Sequence, residues 1–199
     1  MLIGLTGKKQ SGKDTAADYL VRRRGFTKLA FATKLKEMLY DINPVVNADV
    51  VFDGMTKVVD TRFVYLQEVV DAYGWDRAKI LCPEVRRMLQ RVGTDGVRNH
   101  IGKWTWVAKI EDELMPLLRK DPRRNVVFSD VRLPEEREFV HAQGGIILRI
   151  ELDSQRDDES ENGKHESEAG VAYDHLIQNF DGLPEAMFSQ LDEVVKKYA

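Results

Sequence analysis

The chain of 199 residues has a single cysteine, Cys82, so no internal disulfide can staple it and a reducing compartment is its natural setting. Positive charge is not in surplus. Thirty Lys and Arg against 33 Asp and Glu leave a formal charge of -3, the opposite of what a dedicated DNA-binding module carries. Long hydrophobic runs are missing as well, and none approaches the roughly 20 residues of a membrane span. The apolar residues near the N-terminus (Leu2, Ile3, Leu5) run straight into glycine and lysine, too few for a secretory signal. There are no repeats, no linker of domain-separating length, and no low-complexity tract beyond one polar loop. These absences argue against a disulfide-built secreted scaffold, a membrane protein and a nucleic-acid partner. What remains is a cytoplasmic domain of ordinary globular composition, long enough to close a core unaided and suited to small-molecule chemistry.

The hydrophobic pattern alternates strands with helices. Residues 1–6 read as a short buried strand, 7–12 as a glycine-bounded loop, and Lys13 to about Arg24 as a helix with Ala16, Ala17 and Leu20 inward. Arg22, Arg23 and Arg24 meet the negative pole of that helix, and Gly25 stops it. A strand over 26–31 follows, then an amphipathic helix carrying Leu35, Met38, Leu39 and Ile42 that ends before Pro44. Residues 43–55 give mixed signals and read as irregular. Val59, Phe63, Leu66, Val70 and Tyr73 predict a helix closed by Gly74, and Pro83 begins another that Gly93 ends. A longer one carries Val107, Ile110, Leu114 and Leu117, with Pro116 expected to kink or shorten it.

Val126, Val127 and Phe128 in a row mark a strand buried on both faces. A helix from Pro134 to Gly144-Gly145, a strand over 146–152, and a polar loop over 153–170 come next. Leu176-Ile177 suggests an edge strand, and Leu183, Met187, Leu191 and Val194 line one face of a closing helix. The alternation predicts a single α/β domain: a mostly parallel sheet flanked by helices, with a helical insertion over about 43–120.

The strongest chemistry lies in Gly7-Lys8-Lys9-Gln10-Ser11-Gly12-Lys13, which satisfies G-x-x-x-x-G-K between a strand and a helix. Glycines let the backbone wrap closely, so that its N–H groups and the helix N-terminus face a polyphosphate. Candidate nucleotide-binding residues are therefore Gly7, Lys8, Ser11, Gly12, Lys13, Asp14 and Thr15. Lys13 is the candidate catalytic cation, bridging the β- and γ-phosphates and following the charge as it migrates. Asp14 departs from the usual pattern, in which Ser or Thr offers Mg²⁺ a hydroxyl. Thr15 is turned a further ~100° around the helix and cannot simply replace it. Two readings of Asp14 stay open: a hard ligand to Mg²⁺, directly or through water, or an exposed acid at a helix N-terminus.

Asp130 follows the apolar strand, and ligands of parallel sheets gather beyond the carboxyl ends of strands. It is a second candidate for organising Mg²⁺, or for polarising the surroundings of the acceptor phosphate, or for capping the Pro134 helix. Phosphoryl transfer also needs cations on the acceptor and on the migrating group. Arg86 and Gln90 share a helical face, Arg98 follows a Gly93–Gly96 turn, and Arg132 lies two residues after Asp130. Arg156 and Lys164 sit in the polar loop, where a closing lid is expected. For any single arginine, a solvated or structural ion pair is an equal alternative. His165-Glu166-Ser167-Glu168 is weak as a metal cluster, and Trp75, Trp104 and Trp106 suit core packing better than base stacking.

These residues resemble one family across nearly the whole chain, the phage-type deoxynucleoside monophosphate kinases, P-loop relatives of the nucleoside monophosphate kinases. The matching elements are Ile3-Gly4-Leu5-Thr6-Gly7-Lys8 with Ser11-Gly12-Lys13-Asp14-Thr15-Ala16, Leu29-Ala30-Phe31-Ala32, and Gly74-Trp75-Asp76. Further elements are Val85-Arg86 with Leu89-Gln90, Gly93-Thr94 with Arg98, Ser129-Asp130-Val131-Arg132 with Pro134-Glu135-Glu136, His165-Glu166-Ser167-Glu168, and Asp174 with Asn179. The resemblance implies a P-loop NTPase fold, ATP and Mg²⁺ as cosubstrates, a dNMP acceptor, and dNDP and ADP as products. It carries Lys13 over as the P-loop lysine, and Arg86, Gln90, Arg98, Asp130 and Arg132 as active-site or acceptor-binding positions. By the same resemblance, Asp14 looks like this family's own variant of the loop. A phage origin, and so the host cytoplasm, is implied too.

The expected mechanism is in-line transfer in a ternary complex, with water excluded by a closing lid. Rivals are another small-molecule P-loop kinase, of phosphomevalonate or dephospho-coenzyme A type, and a regulatory P-loop ATPase. A nucleic-acid end kinase is disfavoured by the acidic balance. Expected partners are the small-molecule nucleotides, and a homodimer is left open.

Overall fold

Leu2–Thr6 (β1), buried at all five positions, forms the centre of a five-stranded sheet. The computed structural model describes residues 1–52, 58–155 and 171–198. Thr27–Leu29 (β2), Val126–Phe128 (β5), Ile146–Leu152 (β6) and His175–Asn179 (β7) complete the sheet in the order β2-β5-β1-β6-β7, and every pairing is parallel. The chain leaves β1 toward β2 on one side and β6 toward β7 on the other. The C-terminal ends of β1 and β6 therefore flank a topological switch point, where open parallel sheets place their ligands.

Strand side chains alternate between two half-cores. Leu2, Val126, Phe128 and Ile147 pack on one face with Val107, Ile110 and Leu114 of the helix Thr105–Lys120 (α5) and Phe139 and Val140 of Pro134–Ala142 (α6). Phe31, Phe128 and Phe139 form an aromatic cluster there, with ring centroids 5.5–6.3 Å apart. Ile3, Leu5, Val127, Leu148 and Ile150 pack on the other face with Ala16, Ala17 and Leu20 of Lys13–Arg24 (α1) and Met187 and Leu191 of Pro184–Tyr198 (α7). Gly25, at φ 69°, ends α1 as its sequence signals, in a left-handed conformation that glycine adopts without strain. The architecture is α/β, a parallel sheet covered by helices on both faces.

Two compact units are distinguished, one of Met1–Ala32 with Lys103–Ala199 and one of Thr33–Gly102. The first holds the sheet just described. The second contains Thr33–Ile42 (α2), the antiparallel pair Val45–Phe52 (β3) and Val58–Tyr65 (β4), Leu66–Leu81 (α3) and Pro83–Gln90 (α4). The inserted segment is thus bounded at 33 and 102 rather than about 43 and 120, and it is not wholly helical. The stretch expected to be irregular pairs as β3, and the helix expected from Val59 begins only at Leu66. Val59 and Phe63 match helical spacing by coincidence, within a β-branched and aromatic run that favours a strand.

Gly74 does break α3, with φ 69° and ψ 164°. Gly93 does not end α4. The chain continues in π-helical turns over Arg91–Arg98, and a Cβ at Gly93 would lie 2.6 Å from Leu35 Cδ2, so this glycine serves close packing. Pro116 leaves α5 continuous to Lys120.

Candidate active site

The glycine loop between β1 and α1 crosses the ends of two strands. Gly7, at φ 141°, lies so close to β6 that a Cβ there would come within 2.2 Å of the Ile150 carbonyl oxygen. Gly12, at φ 101°, lies against the side chain of Asn179 at the end of β7, and a Cβ there would fall 2.5 Å from Asn179 Nδ2. Gln10 also adopts a left-handed backbone, at φ 61°. Both glycines of the motif are thus favoured by their positive φ, and Gly7 is also required by the backbone of β6 that it meets. The loop ends at the N-terminus of α1, whose first-turn N–H groups lack intrahelical acceptors and suit a phosphate.

Lys13 folds back over this loop. Its Nζ donates to the Gly7 carbonyl at 2.8 Å and to the Lys8 carbonyl, and Ser11 Oγ lies 3.5 Å away. Burial, reinforced by the nearby Arg132 guanidinium, pulls its pKa from 10.5 to about 8, against the opposing influence of Asp14 and Asp130. Lys13, Asp14, Asp130 and Arg132 therefore share one electrostatic site within the first unit. Ser11 is buried, whereas Thr15 is exposed on α1.

Asp14 lies with its side chain 80% exposed and its Oδ1 3.2 Å from Lys28 Nζ, an ammonium also 3.1 Å from Asp18. Asp130 uses both carboxylate oxygens on backbone, accepting from Phe31 N at 2.7 Å and Ala32 N at 3.0 Å. It does not cap the Pro134 helix. That position belongs to Glu136, whose Oε2 accepts from Arg132 N at 2.7 Å and Leu133 N at 3.1 Å. Arg132 itself is exposed. Among the described residues there is no group of three or more His, Cys, Asp or Glu that could hold a metal ion.

In the second unit, Arg86 and Gln90 lie half-buried on α4, and Arg98 is buried at the end of the π-helical segment. Trp106 is buried in the core as expected, Trp104 is exposed, and Trp75 is half-buried with Lys36 Nζ 6.0 Å from its ring centroid. Of the polar loop, Asp153–Gln155 form a short 3₁₀ turn. Arg156, Lys164 and His165 to Glu168 lie outside the described residues.

Three contributors were not assigned a role from the sequence. Lys28 is one, its alternation on β2 giving no hint of Asp14. Glu136 is another, although Pro134 followed by Glu136 at the third helical position is a known N-terminal signature. Asn179, which donates to the Ser11 carbonyl at 3.0 Å, lies 168 residues from its partner, and no local pattern links them.

The family model for deoxynucleotide monophosphate kinase matches residues 1–82 and 44–190. A putative deoxynucleotide monophosphate kinase of Acanthamoeba polyphaga mimivirus is 29% identical over 208 residues, covering 96% of this chain and 94% of that protein. The deoxynucleotide monophosphate kinase of Enterobacteria phage T4 is 23% identical over 243 residues, covering 98% of each. Among solved structures, the dephospho-CoA kinase of Campylobacter jejuni aligns over 99% of this chain and 96% of its own, at a TM-score of 0.44 and 14% identity. No helix among the described residues is long and apolar enough to cross a membrane. With a glycine loop at the C-terminal end of β1 and a family match over residues 1–82 and 44–190, the chain belongs to the deoxynucleotide monophosphate kinase family and is a phosphotransferase.

Proposed function

We propose that the chain transfers the γ-phosphoryl group of ATP to a deoxynucleoside monophosphate, giving dNDP and ADP in the host cytoplasm. The observation that carries this reading is the desolvated Lys13 ammonium, held over a loop whose two glycines both adopt positive φ and whose Gly7 lies against the backbone of β6. Its present acceptors, the Gly7 and Lys8 carbonyls, are neutral. A polyphosphate oxygen is a stronger acceptor, so the amine turns to it when ATP enters.

Lys13 then holds the β- and γ-phosphates, and Arg132, close enough to depress the Lys13 pKa, adds the second positive charge at the migrating group. Gly7, Lys8, Ser11, Gly12 and Thr15 provide the loop and first helical turn around the phosphates. Asp14 and Asp130, which act on Lys13 with the opposite sign, are the residues available to an Mg²⁺ ion carried in by ATP. Held there, the ion would supply charge neutralisation to the phosphates. Asp130 also fixes the backbone at Phe31 and Ala32, where the chain leaves the first unit. Arg86, Gln90 and Arg98 are assigned to the acceptor nucleotide, and Arg156 to ATP. No covalent nucleophile is needed, because the acceptor's phosphate oxygen is already anionic at neutral pH.

The test is ADP release from Mg-ATP with each of the four dNMPs and four NMPs in turn, against a no-acceptor control. Stimulation by at least one dNMP, with the matching dNDP formed, is the expected result. Release indifferent to every nucleotide would return the chain to another acceptor or to ATPase chemistry. A second expectation concerns Asp14: Asp14→Ala raises the Mg²⁺ concentration for half-maximal rate several-fold, by the order of one lost ligand or water-mediated contact. An unchanged magnesium titration would leave Asp14 as the partner of Lys28 alone.

A further inference from the structure

Asn179 is the last residue of β7, the edge strand, and pairs in parallel register with Leu152 of β6. Its neighbour Gln178 illustrates what an amide side chain does on this strand. Gln190 of α7 accepts from Gln178 N at 3.0 Å and donates to the Gln178 carbonyl at 2.9 Å, tying helix to strand. Asn179 makes a tie of the same chemistry to a different target. Its Nδ2 donates to the carbonyl of Ser11, inside the nucleotide-binding loop, at 3.0 Å. Gly12 makes room for it, since a Cβ there would meet this nitrogen at 2.5 Å. Ser11 is 1% exposed, so its carbonyl has little access to water as an alternative donor.

The bond has a directional consequence. The peptide linking Ser11 to Gly12 is planar and trans, so its C=O and N–H point in opposite directions. Holding the Ser11 oxygen toward β7 turns the Gly12 N–H away from β7. Gly12, at φ 101°, lacks the Cβ that would otherwise resist rotation of this peptide, so without the tie the carbonyl and the N–H could exchange directions. An inverted peptide would present a carbonyl oxygen, rather than a donor, to an incoming phosphate.

We propose that Asn179 is a positioning residue for nucleotide binding: it fixes the Ser11–Gly12 peptide so that the Gly12 N–H is presented to the phosphates of ATP. This inference rests on the reading of the loop as the ATP site.

The experiment compares wild type with Asn179→Leu, Asn179→Asp and the control Gln190→Leu, measuring direct ATP binding, KM for ATP, KM for dNMP, kcat and Tm. Asn179→Leu keeps side-chain volume but cannot donate, and is expected to weaken ATP binding and raise its KM about tenfold, the loss of one buried donor. The dNMP KM stays within about twofold of wild type, as that change touches no acceptor contact. Asn179→Asp opposes a carboxylate to the Ser11 carbonyl and is weaker still at pH 8. It recovers toward wild type as pH falls and the protonated carboxyl can donate, a rescue that Leu cannot show. Gln190→Leu lowers Tm and leaves the ATP KM unchanged. An ATP KM unmoved in Asn179→Leu, or both substrate KM values shifted together as a general loosening would shift them, overturns the proposal. Failure of wild type to bind ATP would instead overturn the assignment of the loop.

Discussion

Lys13→Met is expected to abolish phosphoryl transfer, lowering kcat about 10³-fold or more, with the fold intact. Methionine retains the length and apolar stem but not the charge. Two effects on stability oppose each other. The desolvated ammonium is removed, which favours the folded state, while the Gly7 and Lys8 carbonyls lose their donor. Tm should therefore move by only a few degrees in either direction. Turnover near that of wild type would refute the assignment of Lys13.

The depressed pKa of Lys13 gives a second readout that does not depend on turnover. With a pKa of about 8 in the free protein, much of the Lys13 population is neutral at pH 8.5. A bound polyphosphate favours the charged amine and raises the pKa again. ATP binding should then take up protons at pH 8.5 and far fewer at pH 6.5, where the amine is already charged. Calorimetry in buffers of different ionisation enthalpy measures that difference. Lys13→Arg, charged throughout, should bind ATP without the uptake at pH 8.5. Equal proton uptake in wild type and Lys13→Arg would mean that Lys13 does not meet the phosphates.

Signals that are local in sequence were the ones that could be read. The strand, glycine loop and helix from Leu2 to Arg24 carry their evidence within two dozen residues, as do the buried triplet Val126–Phe128 and the stop at Gly25. The β3–β4 pair was not legible because Val59 and Phe63 fit a helical template, while the pairing that makes them strand depends on a partner segment read as irregular. In the sequence Gly93 reads as a helix stop because glycine usually is one. Its packing on Leu35, which allows the chain to pass through in π-helical turns, depends on tertiary contact. In the site, Lys13 and the loop glycines are legible from the motif alone, whereas Asn179 and Glu136 belong to family-like elements that give them no role. The partner of Asn179 is a backbone carbonyl 168 residues away, which no local pattern marks, whereas the cap made by Glu136 does have a local signature in Pro134 and the third helical position.

Glu136→Gln is expected to remove most of the pH dependence of stability between about pH 4.5 and 8. The Glu136 carboxyl is buried, and burial first, then the negative charge of Asp130, pushes its pKa from 4.5 to about 8, against two backbone N–H bonds that favour the charged form. The folded protein thus holds a proton on Glu136 that the unfolded chain has released throughout that range. Stability is greatest below the unfolded pKa and falls as pH rises through the folded one. At one pKa unit per 1.36 kcal/mol, the loss is on the order of a few kcal/mol by pH 8.5. Glutamine keeps an oxygen for the Arg132 and Leu133 N–H groups but cannot ionise, so the variant should overtake wild type in urea unfolding at pH 8.5 and not at pH 5. Glu136→Ala, which leaves both N–H groups without that acceptor, should be less stable than wild type at pH 5, by about 1–3 kcal/mol, and should also lower kcat through the loosened Arg132. Parallel pH–stability curves for wild type and Glu136→Gln would show that Glu136 is ionised in the folded protein, and that the carboxyl holding the Arg132 backbone is a charged cap rather than a neutral one.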